Sequence, residues 1–492
     1  MNIHASVALA LLVTIVPQSS EAQMSAPAQM AAIEGAQTDP GNNPLAAMTI
    51  QELMDHFNVP GVSIAVIRDF KIHWAKGYGV ADVETGAPVD TETMFQAASI
   101  SKPVAAMGSL KAVQDGLFGL DDDINNILTS WHLDGGEMTT SQAVTPRGLM
   151  SHTSGLGDAF GFPGYDPADP IPTPVQIFDG HEDSNVGKLF MERAPYQAYE
   201  YSGGGVTLQQ QALEDARGRP FAEVLQDDVL TPLGMTRSSY QQPISPEHDG
   251  NAARAHDGEG QSRGSKWHVY PEMAAAGLWT TASDLARFAI EVQKSVRGES
   301  NRVLTRQTAR EMVTPVGVGD FAVGFGLEKE GEGWYFQHGG SNWGFRGNLM
   351  AHTVKGYGFA IMTNADQGGG VMNEISQRIQ TIYRWDSKAP PVPRGYAPPV
   401  ERTEVAVSEE ILSVYAGVYM MEDTELTITL TDGALFVQPD GQDALPMSPE
   451  SETDFFIRGV NAQMTFTKDE LGSVTGLVLH QGGRDVRAEK IR

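Results

Sequence analysis

The sequence predicts an α+β protein in which an antiparallel sheet is flanked by helices, with a helical subdomain, followed by a small antiparallel β-barrel or sandwich. Two observations predict the first part: strand patterns lie at both ends of its sequence, and helical periodicity lies between them. One observation predicts the second part: beyond a proline-rich stretch, Leu426, Ile428 and Leu430 alternate with threonines. The 492 residues are 41% hydrophobic, which is enough for two or three domains with buried cores.

The N-terminal residues are predicted to lie outside the folded domains. An apolar segment from Val7 to Val16 is too short to span a bilayer, and the small-x-small sequence "SEA" follows it. This pattern predicts a signal peptide over residues 1–22 and hence a periplasmic or secreted protein without membrane insertion. Residues 23–47 are rich in Ala, Pro, Gln, Asn and Gly without periodicity, which predicts a flexible lead-in.

The first folded domain is predicted over residues 48–388. "GVSIAVIRDFKIHWAKGYGVAD" has the alternation of a hairpin, and "GFRGNLMAH" and "GYGFAIMTN" form a second strand pair near the other end. Helical spacing is found from about Ser101 to Gly116 and again in "NEISQRIQTIYRW". We therefore expect one antiparallel sheet built from distant segments.

A proline-rich segment separates this domain from the C-terminal part. "DSKAPPVPRGYAPPVER" has the composition of an extended, semi-rigid linker, predicted over residues 389–407. Residues 408–492 then show the period-two pattern of the small β-barrel.

Composition excludes several functions. The net charge of −28 argues against nucleic acid as a partner. There are no cysteines, which excludes disulfides, zinc–cysteine sites and thiol catalysis. His181-Glu182 lacks a second histidine four residues on, and the run "DDD" from Asp121 lacks the glycine and spaced ligands of a calcium loop. We therefore expect no metal and no cofactor.

A serine and a lysine lie one helical turn apart in "FQAASISKPV". At positions i and i+3, the amine of Lys102 can reach the hydroxyl of Ser99. A serine hydroxyl needs a base to become a nucleophile, and a lysine desolvated by apolar neighbours can supply one. The pair alone is a weak signal, because many exposed helices contain it by chance.

Two downstream motifs strengthen the interpretation. In "YEYSGGGVTL", Tyr201 lies in a loop where it could carry protons, although packing at a loop edge is the simpler explanation. "WYFQHGGSNWGFRG" is an aromatic strand that leads into His338, Gly339, Gly340 and Ser341, whose glycines permit close backbone approach to a ligand.

Other candidates carry less weight. The sequence "GQSRG" around Ser262 matches the nucleophile elbow G-x-S-x-G, but a polar segment precedes it instead of a buried strand, so we interpret it as a loop. His152 in "SHTSG" is predicted to hold a loop by hydrogen bonds. Trp343 and Tyr240 are candidates for the pocket lining, with core packing as the alternative.

The three motifs, in this order, resemble those of the penicillin-recognising serine hydrolases: class C β-lactamases, D-alanyl-D-alanine peptidases and family VIII carboxylesterases. Those enzymes carry S-x-x-K, Y-x-N and K-T-G or H-x-G. "LMSHTSGL", "TPLGMTRSSY" and "AAGLWTTASDLARF" are similar as well, so that the likeness covers roughly residues 50–385. The C-terminal segment is similar to the lipocalin-like domain appended to some of these relatives.

The resemblance implies a β-lactamase/transpeptidase-like fold and assigns roles to residues. Ser99 would attack the acyl carbonyl, Lys102 would help to deprotonate it, and Tyr201 would relay protons. The backbone N–H groups of Ser99 and Ser341 would form the oxyanion hole. His338, together with Gly339 and Gly340, would contact a small-molecule or peptide substrate.

Two departures shift the predicted substrate. Gly203 stands where the family often has asparagine, which removes an amide that would hold an acylamino group. His338 replaces a lysine and is mostly neutral at pH 7 when unperturbed, so Arg346 becomes the candidate cation for a substrate carboxylate. We therefore expect a carboxylesterase or peptidase in preference to a β-lactamase. An acyltransferase of the same fold, or a binding or regulatory protein without activity, remains as an alternative, and the sequence does not determine the oligomeric state.

Overall fold

In a computed structural model of the chain, the described residues are 24–37, 43–157, 163–330, 333–386, 404–421, 424–431, 433–439, 444–457, 462–469, 472–481 and 484–491. The predicted signal peptide and most of the predicted linker lie outside these residues. The chain divides into two compact units, residues 1–396 and 397–492.

The first unit is built on a seven-stranded antiparallel sheet in the order β3-β2-β1-β7-β6-β5-β4. Its strands are β1 Gly61–Arg68, β2 Lys71–Asp82, β3 Ala87–Pro88, β4 Gly326–Glu330, β5 Gly333–Asn342, β6 Phe345–His352 and β7 Gly358–Thr363. The two predicted strand pairs are β1–β2 and β6–β7, and β1 joins them by pairing with β7. The prediction of one antiparallel sheet from distant segments is therefore confirmed.

Helices cover both faces of this sheet. The α-helices of the first unit are α1 Ala26–Glu34, α2 Ile50–His56, α3 Ser101–Gln114, α4 Pro146–Met150, α5 Pro174–Asp179, α6 Gly203–Arg217, α7 Phe221–Leu225, α8 Thr231–Leu233, α9 Pro246–Asp249, α10 Met273–Ala276, α11 Ala282–Arg297, α12 Arg306–Arg310 and α13 Gly368–Ile382. α11 packs on one face, and α13 packs with α1 and α2 on the other. Because both faces are covered, seven of the eight residues of β1 are buried, instead of every second one.

Two helical stretches were predicted from periodicity, and both are present. α3 is buried around nearly its whole first two turns, so it lies inside the domain rather than on its surface. α13 buries Ile375 and Ile379 against the sheet. The helices and the short two-stranded pairs in the part of the chain between β3 and β4 make the predicted helical subdomain.

The prediction of a flexible lead-in over residues 23–47 is wrong for the part of it that the structure describes. Residues Ala26–Glu34 form α1, and Ile33 is fully buried. The buried Arg378 guanidinium of α13 donates to the carbonyls of Ile33, Gly35, Leu45 and Met48. The segment is therefore held by long-range hydrogen bonds, which leave no periodic signal in its own sequence.

The second unit is a closed barrel of eight antiparallel strands. The strands are β8 Gly417–Met421, β9 Thr424–Thr431, β10 Ala434–Pro439, β11 Leu445–Pro449, β12 Asp454–Ile457, β13 Ala462–Lys468, β14 Val474–Gln481 and β15 Arg484–Lys490, preceded by α14 Glu409–Ser413. Tyr415, Tyr419, Phe455 and Phe466 pack together in its interior. The predicted small barrel is confirmed, and its centre is a packed aromatic core.

Ending the chain between Pro390 and Pro399 is expected to leave a soluble, folded first unit. The hydrophobic clusters of the first unit and of the barrel share no residue, so neither unit needs the other to complete a core. Size-exclusion chromatography and circular dichroism of the shortened chain would test this. Aggregation or loss of ellipticity would show that the two units depend on each other for folding.

Candidate active site

Ser99 lies at the entrance to helix α3. The short strand Phe95–Gln96 pairs with Trp279–Thr280 and delivers the chain to a 3₁₀ turn at Ala98–Ile100. Ala98 is buried and has φ +50°, a strained backbone conformation for a residue with a side chain. This turn presents Ser99 at the N-terminal end of α3, where the helix dipole favours developing negative charge.

Lys102 lies on the first turn of α3 and reaches Ser99 as its spacing predicts. Its Nζ lies 3.1 Å from Ser99 Oγ and donates to the Ala275 carbonyl at 2.9 Å. Only 3% of Lys102 is exposed. The amine is therefore held between the serine and a backbone carbonyl from the turn that begins α10, away from bulk water.

Tyr201 precedes α6 and joins this pair. Its ring lies 4.9 Å from Lys102 Nζ and 4.3 Å from the His152 ring. The loop is fixed on both sides of the tyrosine: the Glu200 N–H donates to the His152 carbonyl at 2.8 Å, and the Ser202 N–H donates to His152 Nδ1 at 3.1 Å. Ser202 Oγ also accepts from the Gly205 N–H at 2.9 Å. His152 therefore holds the tyrosine loop by a hydrogen bond, as its predicted structural role requires.

The His152 ring is uncharged. Burial and the nearby Lys102 cation hold the pKa of His152 well below its usual value of 6.5. Because Nδ1 accepts a hydrogen bond from Ser202, the ring proton lies on Nε2. The neutral ring packs against Tyr201 at an interplanar angle of 33° without adding a second positive charge beside Lys102.

The glycines of β5 allow its backbone to lie against the serine turn. A Cβ at Gly340 would lie 2.3 Å from the Ala97 carbonyl oxygen, and one at Gly347 would lie 2.9 Å from Ile100 Cδ1. No side chain fits at Gly340, where the neighbour is backbone, so β5 contacts the turn through its backbone; at Gly347 the end of the Ile100 side chain would have to move. This contact brings Ser341 next to Ser99.

The register of β5 directs the Ser341 N–H away from β6. Trp343 and Gly344 join the two strands, so Asn342 pairs with Phe345, and Gly340 pairs with Gly347. Hydrogen-bonded and non-hydrogen-bonded pairs alternate along an antiparallel ladder. Ser341 falls between two hydrogen-bonded pairs, and β4 pairs with β5 only as far as Gln337. The Ser341 N–H is thus placed for a ligand.

His338 is a buried, neutral histidine. Its Nδ1 donates to the Gly339 carbonyl at 2.6 Å, which leaves Nε2 as a lone-pair acceptor. Burial and the Lys102 cation lower the pKa of His338 from 6.5 to about 3. The position therefore supplies no cation at neutral pH, where a histidine is already mostly neutral, and desolvation in the folded protein keeps it neutral at lower pH as well.

The structure does not bring Arg346 to the site. Its guanidinium donates to the carbonyls of Asn342 and Phe345 and pairs with Asp366 at 3.0 Å. Arg346 pairs with Ser341 across β6 and β5, so their side chains lie on the same face of the sheet. Ser341 is three residues from His338, and side chains alternate between the two faces along a strand. The side chains of Arg346 and His338 therefore project from opposite faces. The expectation that Arg346 binds a substrate carboxylate is wrong, because its charge is already used.

The other residues singled out from the sequence lie at the start of a helix, in the core, in a ring stack and in a loop. Gly203 is the buried first residue of α6 and contributes no side chain. Tyr240 is a core residue that donates to the Ser101 carbonyl at 2.6 Å, and Trp343 stacks on His268. Ser262 lies in a loop and forms only an isolated bridge with His256, so the nucleophile-elbow reading is excluded.

The cleft in front of Ser99 has a volume of about 580 Å³ and an aromatic wall. Tyr199 and Phe321 pack with their ring centroids 5.2 Å apart beside Tyr201. None of the described residues that line the cleft carries a formal charge at neutral pH: Ser99, Tyr199, Tyr201, Phe321, Gln337, His338, Gly339, Gly340, Ser341, Gly347, Asn348, Met372 and Asn373.

Several of these residues were missed by sequence reasoning. Tyr199 lies in the quoted motif "YEYSGGGVTL", two residues before Tyr201, but was not singled out; Phe321, Met372 and Asn373 come from other segments, where no local pattern marks them. Ala275 lies in "AAGLWTTASDLARF", where family resemblance gives a signal, but its contact with Lys102 is made by the backbone carbonyl, which its side chain does not reveal.

Among the described residues, no group of three or more His, Asp or Glu is arranged to hold a metal ion. No described helix has the length and apolarity needed to cross a bilayer.

Glu272, at the start of the turn that leads into α10, is fully buried, and its two carboxyl oxygens have no hydrogen-bond partner among the described residues. Burial raises the pKa of Glu272 from 4.5 to about 7. The folded protein therefore binds a proton that the unfolded chain has released between these pH values. We expect stability to fall by up to about 3 kcal/mol as pH rises from about 4.5 to about 7, and then to level off.

Glu272→Gln, which resembles the protonated acid, should remove this fall. Urea unfolding of the variant and the wild-type protein at pH 5, 6, 7 and 8 would measure it as a difference in midpoint that grows up to pH 7. Parallel curves for the two proteins would contradict the assignment.

This fold and the arrangement around Ser99 are those of the β-lactamase/transpeptidase class of serine hydrolases. Residues 46–383 match the Beta-lactamase family model, and the chain belongs to this family. Residues 401–490 match a second model, described as a domain of unknown function, DUF3471.

Curated relatives and solved structures agree with this family. Penicillin-binding protein 4* of Bacillus subtilis is 23% identical over 436 residues, which cover 84% of this chain and 91% of that protein. Esterase EstB of Burkholderia gladioli is 28% identical over 325 residues, covering 59% and 77% of the two chains. An octameric penicillin-binding protein homologue from Pyrococcus abyssi has a TM-score of 0.59 at 21% identity, covering 89% of this chain and 98% of that one.

Proposed function

We propose that this protein is a serine hydrolase that cleaves ester or amide bonds of small molecules or peptides through an acyl-enzyme on Ser99. The observation that carries the proposal is the 3.1 Å contact between Lys102 Nζ and Ser99 Oγ, with Tyr201 beside it and a cleft in front of it. The intact Ser99, Lys102 and Tyr201 argue against a binding or regulatory protein without activity. The N-terminal apolar segment supports action in the periplasm or outside the cell.

In the acylation step, Ser99 Oγ attacks the carbonyl carbon, and its proton passes to Lys102 in the unprotonated state. The carbonyl π electrons move to the oxygen, where the N–H groups of Ser99 and Ser341 stabilise the negative charge. When the tetrahedral intermediate collapses, the bond to the leaving alcohol or amine breaks, and the Tyr201 hydroxyl gives it a proton that the lysine replaces.

Deacylation reverses these transfers with water in place of the leaving group. Tyr201 passes its hydroxyl proton to Lys102, and water attacks the acyl carbon while it gives a proton to the Tyr201 phenolate. The bond between the acyl carbon and Ser99 Oγ then breaks, Lys102 returns its proton to Oγ, and the carboxylic acid is released. An acyltransferase would use an alcohol or amine at this stage, and product analysis with added acceptors would distinguish it from a hydrolase.

The uncharged cleft favours a carboxylesterase or peptidase over a β-lactamase. A substrate carboxylate would find no cation among the described lining residues, because His338 is neutral and Arg346 is paired with Asp366. Tyr199 and Phe321 offer an apolar surface to an uncharged substrate group. The similarity to Esterase EstB supports the same preference.

His338→Lys is expected to test this preference. A lysine would restore a positive charge, and a charge-assisted hydrogen bond of about 1.5–3 kcal/mol corresponds to roughly a ten- to hundredfold gain in kcat/KM. The gain should appear for carboxylate-bearing substrates such as cephalosporins and not for neutral p-nitrophenyl esters. His338→Gln, which adds no charge, is the control. Equal changes for charged and neutral substrates would show that position 338 does not select against the carboxylate.

A further inference from the structure

The Ala275 carbonyl that holds Lys102 belongs to a short turn, residues 271–276, whose own hydrogen bonds are few. The Glu272 carbonyl accepts from the N–H groups of Ala275 and Ala276, at 3.1 Å and 2.9 Å. α10 itself spans only four residues, too few for a helix that is stable alone. The position of the Ala275 carbonyl therefore depends on contacts from outside the turn.

Gln210 of α6 supplies two such contacts, one on each side of Glu272. Its Nε2 donates to the Pro271 carbonyl at 3.1 Å, and its Oε1 accepts from the Ala274 N–H at 2.9 Å. Only 1% of Gln210 is exposed, so water does not compete for these bonds. The side-chain amide thus fixes the backbone immediately before the carbonyl that binds the lysine.

The neighbouring glutamines of α6 do not share this contact. Gln209 donates to Ser109 Oγ at 3.3 Å, and Gln211 donates to Asp215 one helical turn away at 3.2 Å. Both are buried, with 3% and 8% exposed. Of these three consecutive glutamines, Gln210 is the one whose hydrogen bonds reach the turn.

We propose that Gln210 is a positioning residue for Lys102: it holds the 271–276 turn so that the Ala275 carbonyl fixes the lysine amine against Ser99. The chain of contacts runs from α6, whose first turn also anchors the Tyr201 loop, through Gln210 to Ala274, Ala275 and Lys102. One helix therefore contributes to the positions of both proton-transfer groups, together with Asn342, which donates to the Ala276 carbonyl at 3.1 Å, and His152, which accepts from the Ser202 N–H. The inference rests on the proposed function, because it requires Lys102 to act on Ser99.

The test is the pH dependence of the rate at which a fluorophosphonate labels Ser99, measured for the wild-type protein, Gln210→Met and Gln211→Met. A carbonyl that accepts from an ammonium favours its protonated form. Loosening it should move the acid limb of the profile to lower pH by about one unit and lower the maximal rate constant by roughly tenfold or more. Gln211→Met, an equal change at the next buried position, should match the wild-type profile.

Gln210→Asn is the second variant, for the case in which Gln210→Met does not fold. It keeps a neutral amide but is one methylene shorter, so it does not reach both the Pro271 carbonyl and the Ala274 N–H, and it adds no charge near Lys102; its acid limb should shift in the same direction. Mass-spectrometric titration of labelled Ser99 corrects every rate for the active fraction.

An unshifted profile in the folded Gln210 variants, or the same shift in Gln211→Met, would overturn the positioning role while leaving the proposed function intact. Absence of label on Ser99 in the wild-type protein would overturn the proposed function, and the role of Gln210 with it. The two failures are therefore distinguishable.

Discussion

Ser99→Ala is expected to abolish hydrolysis of p-nitrophenyl esters and labelling by a fluorophosphonate. Two serines, Ser99 and Ser341, are among the described residues that line the cleft, and Ser99 is the one whose hydroxyl contacts the buried Lys102. Removing a nucleophile that acts as a unit with its base should lower kcat by about 10⁴-fold or more. Peptide mapping of the labelled wild-type protein should place the adduct on Ser99.

Ser262→Ala is the matched control for this experiment. Ser262 lies in the G-x-S-x-G sequence, but the structure places it in a loop with no buried strand before it. Its replacement should leave both labelling and hydrolysis at the wild-type level. An adduct on Ser262, or full activity in Ser99→Ala, would overturn the assignment of the nucleophile.

Lys102→Met should lower kcat by roughly 10²-fold or more, the scale expected of a group that transfers a proton at the barrier. Methionine keeps the length and apolar character of the side chain but removes the amine that contacts Ser99 and Ala275. Steady-state kinetics with a neutral ester, together with a thermal unfolding curve, would separate loss of catalysis from loss of fold.

Lys111→Met provides the control on the same helix. Lys111 lies on the last turn of α3 and pairs with Asp115, outside the cleft. It should retain wild-type kcat.

Tyr201→Phe is expected to resemble Lys102→Met, because it removes the hydroxyl that carries protons and keeps the ring between His152 and Lys102. Retained activity in both Lys102→Met and Tyr201→Phe would contradict the mechanism.

Much of the fold follows from local sequence pattern. The hairpins β1–β2 and β6–β7 and the alternating strands of the barrel are short-range structures, in which neighbouring residues along the chain also pair in space. The segment 26–34 shows the limit of this reasoning. It has no periodicity, yet it is ordered by Arg378, more than 340 residues away, and a long-range hydrogen bond of this kind leaves no mark in the sequence around either partner.

The sequence by itself determined the pairing of Ser99 with Lys102, because an i, i+3 spacing at a helix start is geometry that one turn of backbone enforces. It also indicated where the backbone could approach a ligand closely, since Gly339 and Gly340 have no side chains. Both are properties of a few consecutive residues or of a residue with no side chain.

Only the tertiary structure decides which groups surround the residues of the site. How far the pKa of a histidine departs from its usual value depends on burial and on nearby cations, and the pKa of His338 is lowered because the fold places it beside Lys102 in a desolvated site. Whether an arginine is available depends on its partners, and Arg346 is occupied because β6 lies beside Asp366. Burial and electrostatic interaction energies depend on distances between side chains that are remote in the sequence, and those distances exist only in the folded chain.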